Sequence, residues 1–190
     1  TNLVFMGMGE PLLNYAHTVT AIRIITDSLG LNISPRRITV STCGIAYKIV
    51  QFGHELSVNL AISLNAPSDE LRSYLMPVNK KYPLSVLIEA CKKFPLQKRK
   101  RITFEYIMLS GINDTQSHAQ ELLHTIRGIR CKVNLIPFNE YYGSEFKQSH
   151  SKTIKKFQEV LMDGHITASI RKSRGADIMA SCGQLTFKNV

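Results

Sequence analysis

Tryptophan is absent from the 190 residues, and no apolar run approaches the roughly 18 to 20 residues that a membrane helix requires. The first residues lack the basic-then-apolar pattern of a secretory leader, so the expectation is a soluble protein without a membrane partner. Cysteine is scarce and scattered. Cys43, Cys91, Cys131 and Cys182 form no C-x-x-C pair, which excludes the disulfide framework of a small secreted domain and points to a reduced, cytoplasmic setting. The six histidines show neither H-x-x-x-H nor H-E-x-x-H spacing and never cluster with cysteine, so no metal site built from this chain alone is expected. No G-x-S-x-G elbow supports a serine hydrolase. Repeats, low-complexity tracts and interdomain linkers are missing as well, and residues 1–190 read as a single domain.

Acidic residues are outnumbered, 14 Asp and Glu against 24 Lys and Arg, for a formal charge of +10. Such an excess favours a polyanionic partner through phosphate neutralisation. Charge alone suits a nucleic acid, an anionic membrane surface and an acidic protein equally. Hydrophobic residues make up 44% of the chain, enough to bury a core. The chain opens on Thr1-Asn2 directly before an apolar run, without a starting Met; a fragment whose upstream part is missing is the expectation.

Apolar, β-branched runs alternate with amphipathic stretches. Strands are expected at Leu3–Met6, Ile38–Val40, Val58–Ile62, Ile102–Ile107 and Val133–Ile136, with a sixth at Ile166–Ile170. Between them, Tyr15–Leu29 sets Val19, Ile22, Ile25 and Leu29 on one helical face, with Asn14 as N-cap and Gly30 as stop. Further helices are expected at Leu84–Phe94, Thr115–Ile126 and Ser151–Met162, with shorter ones near Ala46–Phe52 and Asp69–Leu75. Strand-helix alternation implies an α/β fold of parallel strands with right-handed crossovers, either an open doubly wound sheet or a (β/α) barrel. The unusual polar residues all follow strand C-termini, where a barrel gathers its active site on one rim. A partial barrel is therefore the preferred architecture.

Three segments draw chemical interest. In Met6-Gly7-Met8-Gly9-Glu10-Pro11, two glycines let the backbone approach a ligand and the carboxylate suits a ligand ammonium, although a tight turn with an acid at a helix N-terminus has the same composition. Ser41-Thr42-Cys43-Gly44, Ser63-Leu64-Asn65-Ala66-Pro67 and Asn139 each place polar groups after a strand, as ligand contacts or as ordinary caps and turns. Cys182, flanked by small residues beside Arg171, Lys172 and Arg174, reads equally as a reactive thiol and as a small buried apolar residue.

Taken in order, Gly7-Met8-Gly9-Glu10-Pro11-Leu12-Leu13-Asn14, Ser41-Thr42-Cys43-Gly44, Ser63-Leu64-Asn65-Ala66-Pro67, Asn134-Leu135-Ile136-Pro137-Phe138-Asn139, Arg171-Lys172-Ser173-Arg174-Gly175 and Cys182-Gly183-Gln184-Leu185 resemble the RlmN/Cfr family of radical S-adenosylmethionine (SAM) RNA methyltransferases. The resemblance implies a partial (β/α) radical-SAM-type barrel. It assigns Gly9 and Glu10 to the methionyl end of SAM, with Ser41, Ser63, Leu64, Asn65 and Asn139 completing the site; Asn65 stands where the family commonly has histidine. It makes Cys182 the methyl-carrying cysteine. One SAM methylates its sulfur, and a radical derived from a second SAM at a 4Fe-4S cluster activates that methyl group for addition to an adenine carbon.

By the same resemblance the substrate is ribosomal RNA and also transfer RNA, with adenine C2 favoured over C8, an electron donor as a further partner and a monomeric protein. The family's C-x3-C-x2-C cluster motif, its resolving cysteine and its N-terminal accessory domain do not occur in these residues, so the chain alone is expected not to turn over. Two other classes compete. A basic RNA-binding module without catalysis would not need Gly9-Glu10 together with Cys182. A Schiff-base aldolase would need a lysine at a strand end, whereas Lys80 and Lys81 follow Asn79 in a connecting segment.

Overall fold

The structure is a computed structural model that describes residues 2–141 and 143–171. Its centre is a six-stranded sheet: β1 Leu3–Phe5, β2 Ile38–Thr42, β3 Asn59–Ser63, β4 Ile102–Met108, β5 Cys131–Pro137 and β6 Ala168–Ile170. Every neighbouring pair is parallel, and the spatial order is the sequence order from β1 to β6. That order separates the two architectures that periodicity left open. A doubly wound sheet needs a reversal of strand order, whereas right-handed crossovers that always step the same way put every helix on one face. The other face becomes the concave interior of a partial barrel.

The helices are α1 Tyr15–Thr26, α2 Ala46–Glu55, α3 Asp69–Leu75, α4 Leu84–Lys93, α5 Gln116–Thr125 and α6 Ser151–Asp163, with short 3-10 turns at Pro35–Arg37 and Pro77–Lys80. All six lie where the apolar periodicity puts them, and the differences fall at their ends. Helix α1 stops three residues before Leu29, because Asp27 takes an extended conformation and its carboxylate accepts the Leu29 N–H at 2.8 Å. Leu29 is then 98% exposed and does not join the apolar face. Asn14 occupies the N-cap position, but its side chain bonds the His17 ring instead of a backbone amide. At α5 the cap is stronger than the sequence suggests: Thr115 accepts from the His118 N–H while the His118 ring bonds back to the Thr115 N–H, a capping box with histidine in the usual place of Glu or Gln.

Strand alternation sorts the two faces. Ile38, Val40, Leu60, Ile62, Phe104, Tyr106, Val133 and Leu135 are fully buried against helix residues such as Ile22, Ile49, Phe52, Leu87, Leu122 and Phe157. The positions between them carry Thr39, Ser41, Ser63, Glu105, Asn134 and Ser169, a polar lining for the concave side.

One charged side chain sits inside this framework. Arg72, on α3, has 0% exposure and spends its guanidinium on main-chain and amide acceptors. Nε donates to the Leu64 carbonyl at 3.1 Å, Nη2 donates to the carbonyls of Cys43 at 2.8 Å and Ser63 at 3.1 Å, and Nη1 donates to Asn79 Oδ1 at 2.9 Å. Asn79 in turn donates to the Asp69 carboxylate at 2.8 Å, so the buried cation has a carboxylate one hydrogen bond away. Gly44 passes close beside it with φ of +106°, and a Cβ there would lie 3.2 Å from Arg72 Nη2.

Replacing Arg72 by Met keeps an unbranched stem but strands the carbonyls of Cys43, Ser63 and Leu64. We expect Arg72→Met to cost about 3 kcal/mol of stability, since unsatisfied buried acceptors cost about 1–3 kcal/mol each and partial relaxation recovers some of that. In a domain of this size that corresponds to a fall in Tm of roughly 6–12 °C, measurable by calorimetry; a fall under about 2 °C would show that the guanidinium is dispensable.

Candidate functional site

A cavity of about 210 Å³ opens on the concave face at the strand C-termini, lined by residues from β1 through the end of β6: Gly9, Glu10, Ser41, Thr42, Cys43, Ser63, Asn65, Glu105, Ile107, Ile136 and Arg171 among them. Ligand pockets usually run from about 300 Å³ upward, so this space takes part of a nucleoside-sized molecule while the remainder lies along the open rim. Five of the seven residues expected at the cofactor, Gly9, Glu10, Ser41, Ser63 and Asn65, meet here from three separate connections. The other two stand elsewhere. Leu64 has 0% exposure, its N–H donating to the Glu105 carbonyl at 2.9 Å, and Asn139 follows β5 without lining the cavity. Cys182, Lys172 and Arg174 lie outside the described residues.

Glu10 is a joint between two connections. Its Oε1 accepts from the Leu12 N–H at 2.9 Å and from the Thr42 hydroxyl at 2.8 Å, and its Oε2 accepts from the Cys43 N–H at 2.7 Å. Thr42 Oγ1 then accepts the Gly44 N–H at 3.0 Å. The carboxylate so ties the β1–α1 turn to the β2–α2 turn, with Gly9 at φ of +92° supplying a bend that L side chains rarely adopt. Three bonds leave the carboxylate with acceptor capacity to spare. Thr42, read from sequence as one of two hydroxyls at a junction, turns out to be the one that holds Glu10, while Ser41 beside it lines the cavity.

Asn65 takes φ of +59°, a conformation that asparagine tolerates better than most residues. Its Oδ1 accepts the Ile107 N–H at 3.0 Å, its Nδ2 lies 3.2 Å from the Met76 sulfur, and its carbonyl accepts from Asn113 Nδ2 at 2.8 Å. Asn113, fully buried, also accepts the Leu109 N–H and donates to the Ile107 carbonyl, which clamps the β4–α5 connection onto the β3–α3 connection.

Sequence reading passed over Glu105. It lies in mid-β4, 6% exposed, and lines the cavity floor. Oε1 accepts from Asn134 Nδ2 at 3.1 Å, while Oε2 is buried without a partner among the described residues. Burial pushes its pKa up, against the Asn134 hydrogen bond and the positive charges of Arg171 and Lys132. A glutamate inside a strand of otherwise apolar character was the available signal.

The cysteines offer no cluster. Burial raises the pKa of Cys43 to about 12, with Glu10 adding to the effect; burial likewise raises Cys91 to about 12 and Cys131 to about 11. Iron–sulfur ligation needs thiolates converging on one point. Among the described residues no three His, Cys, Asp or Glu side chains are placed to hold a metal ion, so these residues do not fit a 4Fe-4S cluster. They do fit a polar organic ligand, for which the orphaned Glu105 oxygen and the spare Glu10 capacity are suitable anchors.

Positive charge is distributed against expectation. Arg171 lines the cavity, but the densest basic group among the described residues lies at the opposite edge of the sheet, in the segments entering β2, β4 and β5: Arg36, Arg37, Lys98, Arg99, Lys100, Arg101, Arg127 and Arg130. The side chains of Lys100, Arg101 and Arg130 are held by the Ser57 carbonyl, the Thr167 hydroxyl and the Leu96 and Gln97 carbonyls.

The Radical SAM superfamily model matches residues 1–125, which include Glu10, Ser41, Ser63, Asn65 and Glu105. This chain belongs to the radical SAM superfamily. It is 54% identical over 187 residues to the dual-specificity RNA methyltransferase RlmN of Syntrophus aciditrophicus, covering 98% of this chain and 54% of that protein. A protein of the same name from Pelobacter propionicus is 52% identical over 188 residues, with coverage of 98% and 54%. The crystal structure of a radical SAM methyltransferase from Sphaerobacter thermophilus superposes with a TM-score of 0.93 at 44% identity, over 97% of this chain and 54% of the other. The chain thus spans about half the length of the relatives it matches.

The raised pKa of Glu105 has a sign that stability measurements read. The folded protein keeps the Glu105 proton above pH 4.5, the ordinary glutamate value, while the unfolded chain releases it. Stability is therefore lost as pH rises through the folded pKa. Glu105→Gln lacks this proton, so its Tm should match wild type at acidic pH and exceed it increasingly as pH rises; parallel Tm curves would show that Glu105 ionises normally.

Proposed function

We propose that this chain is the catalytic barrel portion of a SAM-dependent RNA methyltransferase that modifies C2 of adenine in ribosomal and transfer RNA through a methylated cysteine. The observation that carries the cofactor part is the convergence of Gly9, Glu10, Ser41, Ser63 and Asn65 in one cavity. Their residue types suit SAM. The Glu10 carboxylate and the turn's backbone groups suit an ammonium, and the hydroxyls of Ser41 and Ser63 suit a sugar. Leu64 and Asn139, which the resemblance also assigns, stand outside the cavity, so the site proposed here is the set of five. Bound SAM supplies the methyl group; the chain's own residues position it and keep it from water.

Cys182 is proposed as the residue whose sulfur carries the methyl group, on its place in the Cys182-Gly183-Gln184-Leu185 segment. RNA as substrate is supported by the relatives' name and by the chain's formal charge of +10. The basic edge of Arg36, Arg37 and Lys98–Arg101 adds phosphate-binding capacity away from the cavity. No described helix is long and apolar enough to cross a membrane.

The test is a protein extended upstream to the length of the relatives. It should methylate adenine in RNA. Cys182→Ala in that protein should abolish RNA methylation, while Glu10→Gln should weaken SAM binding about tenfold or more through loss of a charge-assisted contact. RNA affinity should fall as salt rises. A Cys182→Ala enzyme that still methylates RNA, or an RNA affinity indifferent to salt, would contradict the respective part of the proposal.

A further inference from the structure

Register places four polar side chains in one row across the concave face: Ser63 beside Glu105, Glu105 beside Asn134, and Asn134 beside Ser169. Inside a row on a sheet, neighbours stand about 4.8 Å apart, and here most of the row is hydrogen-bonded with a definite direction. The Ser169 hydroxyl donates to Asn134 Oδ1, and Asn134 Nδ2 donates to Glu105 Oε1 at 3.1 Å. Each donor points towards Glu105. Its Oε1 is thereby committed as an acceptor, and its Oε2, buried and unpartnered, is the end of the row and faces the cavity.

A buried polar oxygen without a partner costs about 1–3 kcal/mol and calls for an explanation. No group of the described residues supplies one, and the oxygen lies in a cavity wall. Because Oε1 already accepts, an acid proton on this carboxyl belongs on Oε2, where it forms a donor pointing away from the row. The facing charges are the cations Arg171 and Lys132, and Glu10 lies on the far wall, three strands away, or roughly 14 Å along the sheet. That distance separates the two ends of a SAM-sized ligand. If the amino-acid end lies at Glu10, the group that reaches Glu105 is the nucleoside.

We propose that Glu105 is a cofactor-binding residue, its carboxyl donating a hydrogen bond from Oε2–H to a ribose hydroxyl of the SAM nucleoside, with Ser63 beside it placed to accept from the same sugar. The inference rests on the cofactor reading above and adds a residue, an atom and a protonation state to it. Raised proton affinity from burial is consistent with a carboxyl that donates near neutral pH.

The donor role has a test that a carboxylate acceptor would fail. A Gln side chain keeps an acceptor oxygen for Asn134 and presents an N–H donor where Oε2–H stood, whereas Leu presents nothing. Isothermal titration of the full chain with S-adenosylhomocysteine and with 5′-methylthioadenosine, which lacks the amino-acid end, reads the contact directly. Glu105→Gln should bind both within about threefold of wild type, and Glu105→Leu should lose about tenfold for both, the equivalent of one hydrogen bond. Wild-type affinity should fall as pH rises through the Glu105 pKa while that of Glu105→Gln stays level, a readout that a purely structural role would not move.

Thermal unfolding of each variant checks that it is folded. Loss of binding in a folded Glu105→Gln would overturn the donor assignment, and a Glu105→Leu loss confined to S-adenosylhomocysteine would overturn the nucleoside assignment. Failure of the unsubstituted chain to bind either compound would instead overturn the cofactor reading, and this inference with it.

Discussion

The rim of this barrel depends on one buried cation. Parallel strands end in carbonyls that have no further ladder partner, and in a curved sheet the carbonyls just past β2 and at the end of β3 crowd together beneath the first layer of helices. Arg72 answers three of them, at Cys43, Ser63 and Leu64, from a short helix that follows β3. A guanidinium does this better than an ammonium, since its planar fork of five donors fits several fixed acceptors at once. Burial lowers the Arg72 pKa from its ordinary value, but arginine retains its charge in proteins, and the Asn79–Asp69 relay brings a compensating carboxylate near without a direct ion pair. The residues so positioned, Cys43 and Ser63, both line the cavity.

A second constraint follows from strand order. Because the chain steps across the sheet in one direction, the helices share one face and leave the other to be lined by hydroxyls, amides and a carboxyl. A polar concave wall is a poor core and a good binding surface. Its groups are satisfied partly by one another, as in the Ser169–Asn134–Glu105 row and the Thr42–Glu10 pair, and what remains unsatisfied, Glu105 Oε2, marks where a ligand is missing from the account. Membership in the radical SAM superfamily agrees with this geometry, since SAM carries an ammonium, a carboxylate and a ribose diol to match such a wall.

The charge distribution sets two tasks at two ends. Arg171 is the described cation lining the cavity, whereas three connections at the other edge of the sheet carry a dense group of Lys and Arg. Lys100 is pushed below its ordinary pKa by burial and by Arg36, so like charges are held together there against their mutual repulsion. A polyanion relieves that repulsion by counterion release, and a folded RNA is large enough to reach from one end of the barrel to the other.

Element types and most of their positions were legible in the sequence, because a period of two or of 3.6 in apolar residues reflects burial against one neighbouring layer and requires no knowledge of which layer. Hence Tyr15 correctly opened α1 and Asp69–Leu75 was found whole. Helix ends were less legible, as at Asp27, where a local side-chain bond decides. The gathering of Glu10, Ser41, Ser63 and Asn65 at strand ends could be inferred, since parallel strands bring all C-termini to one side. Only the tertiary structure decided that Leu64 is core, that Thr42 holds Glu10, that Arg72 ties the rim together and that Glu105 presents a bare oxygen to the cavity. Each of those depends on contacts between residues far apart in the chain, on which strand lies beside which and at what register, and a single sequence carries no local signal for that.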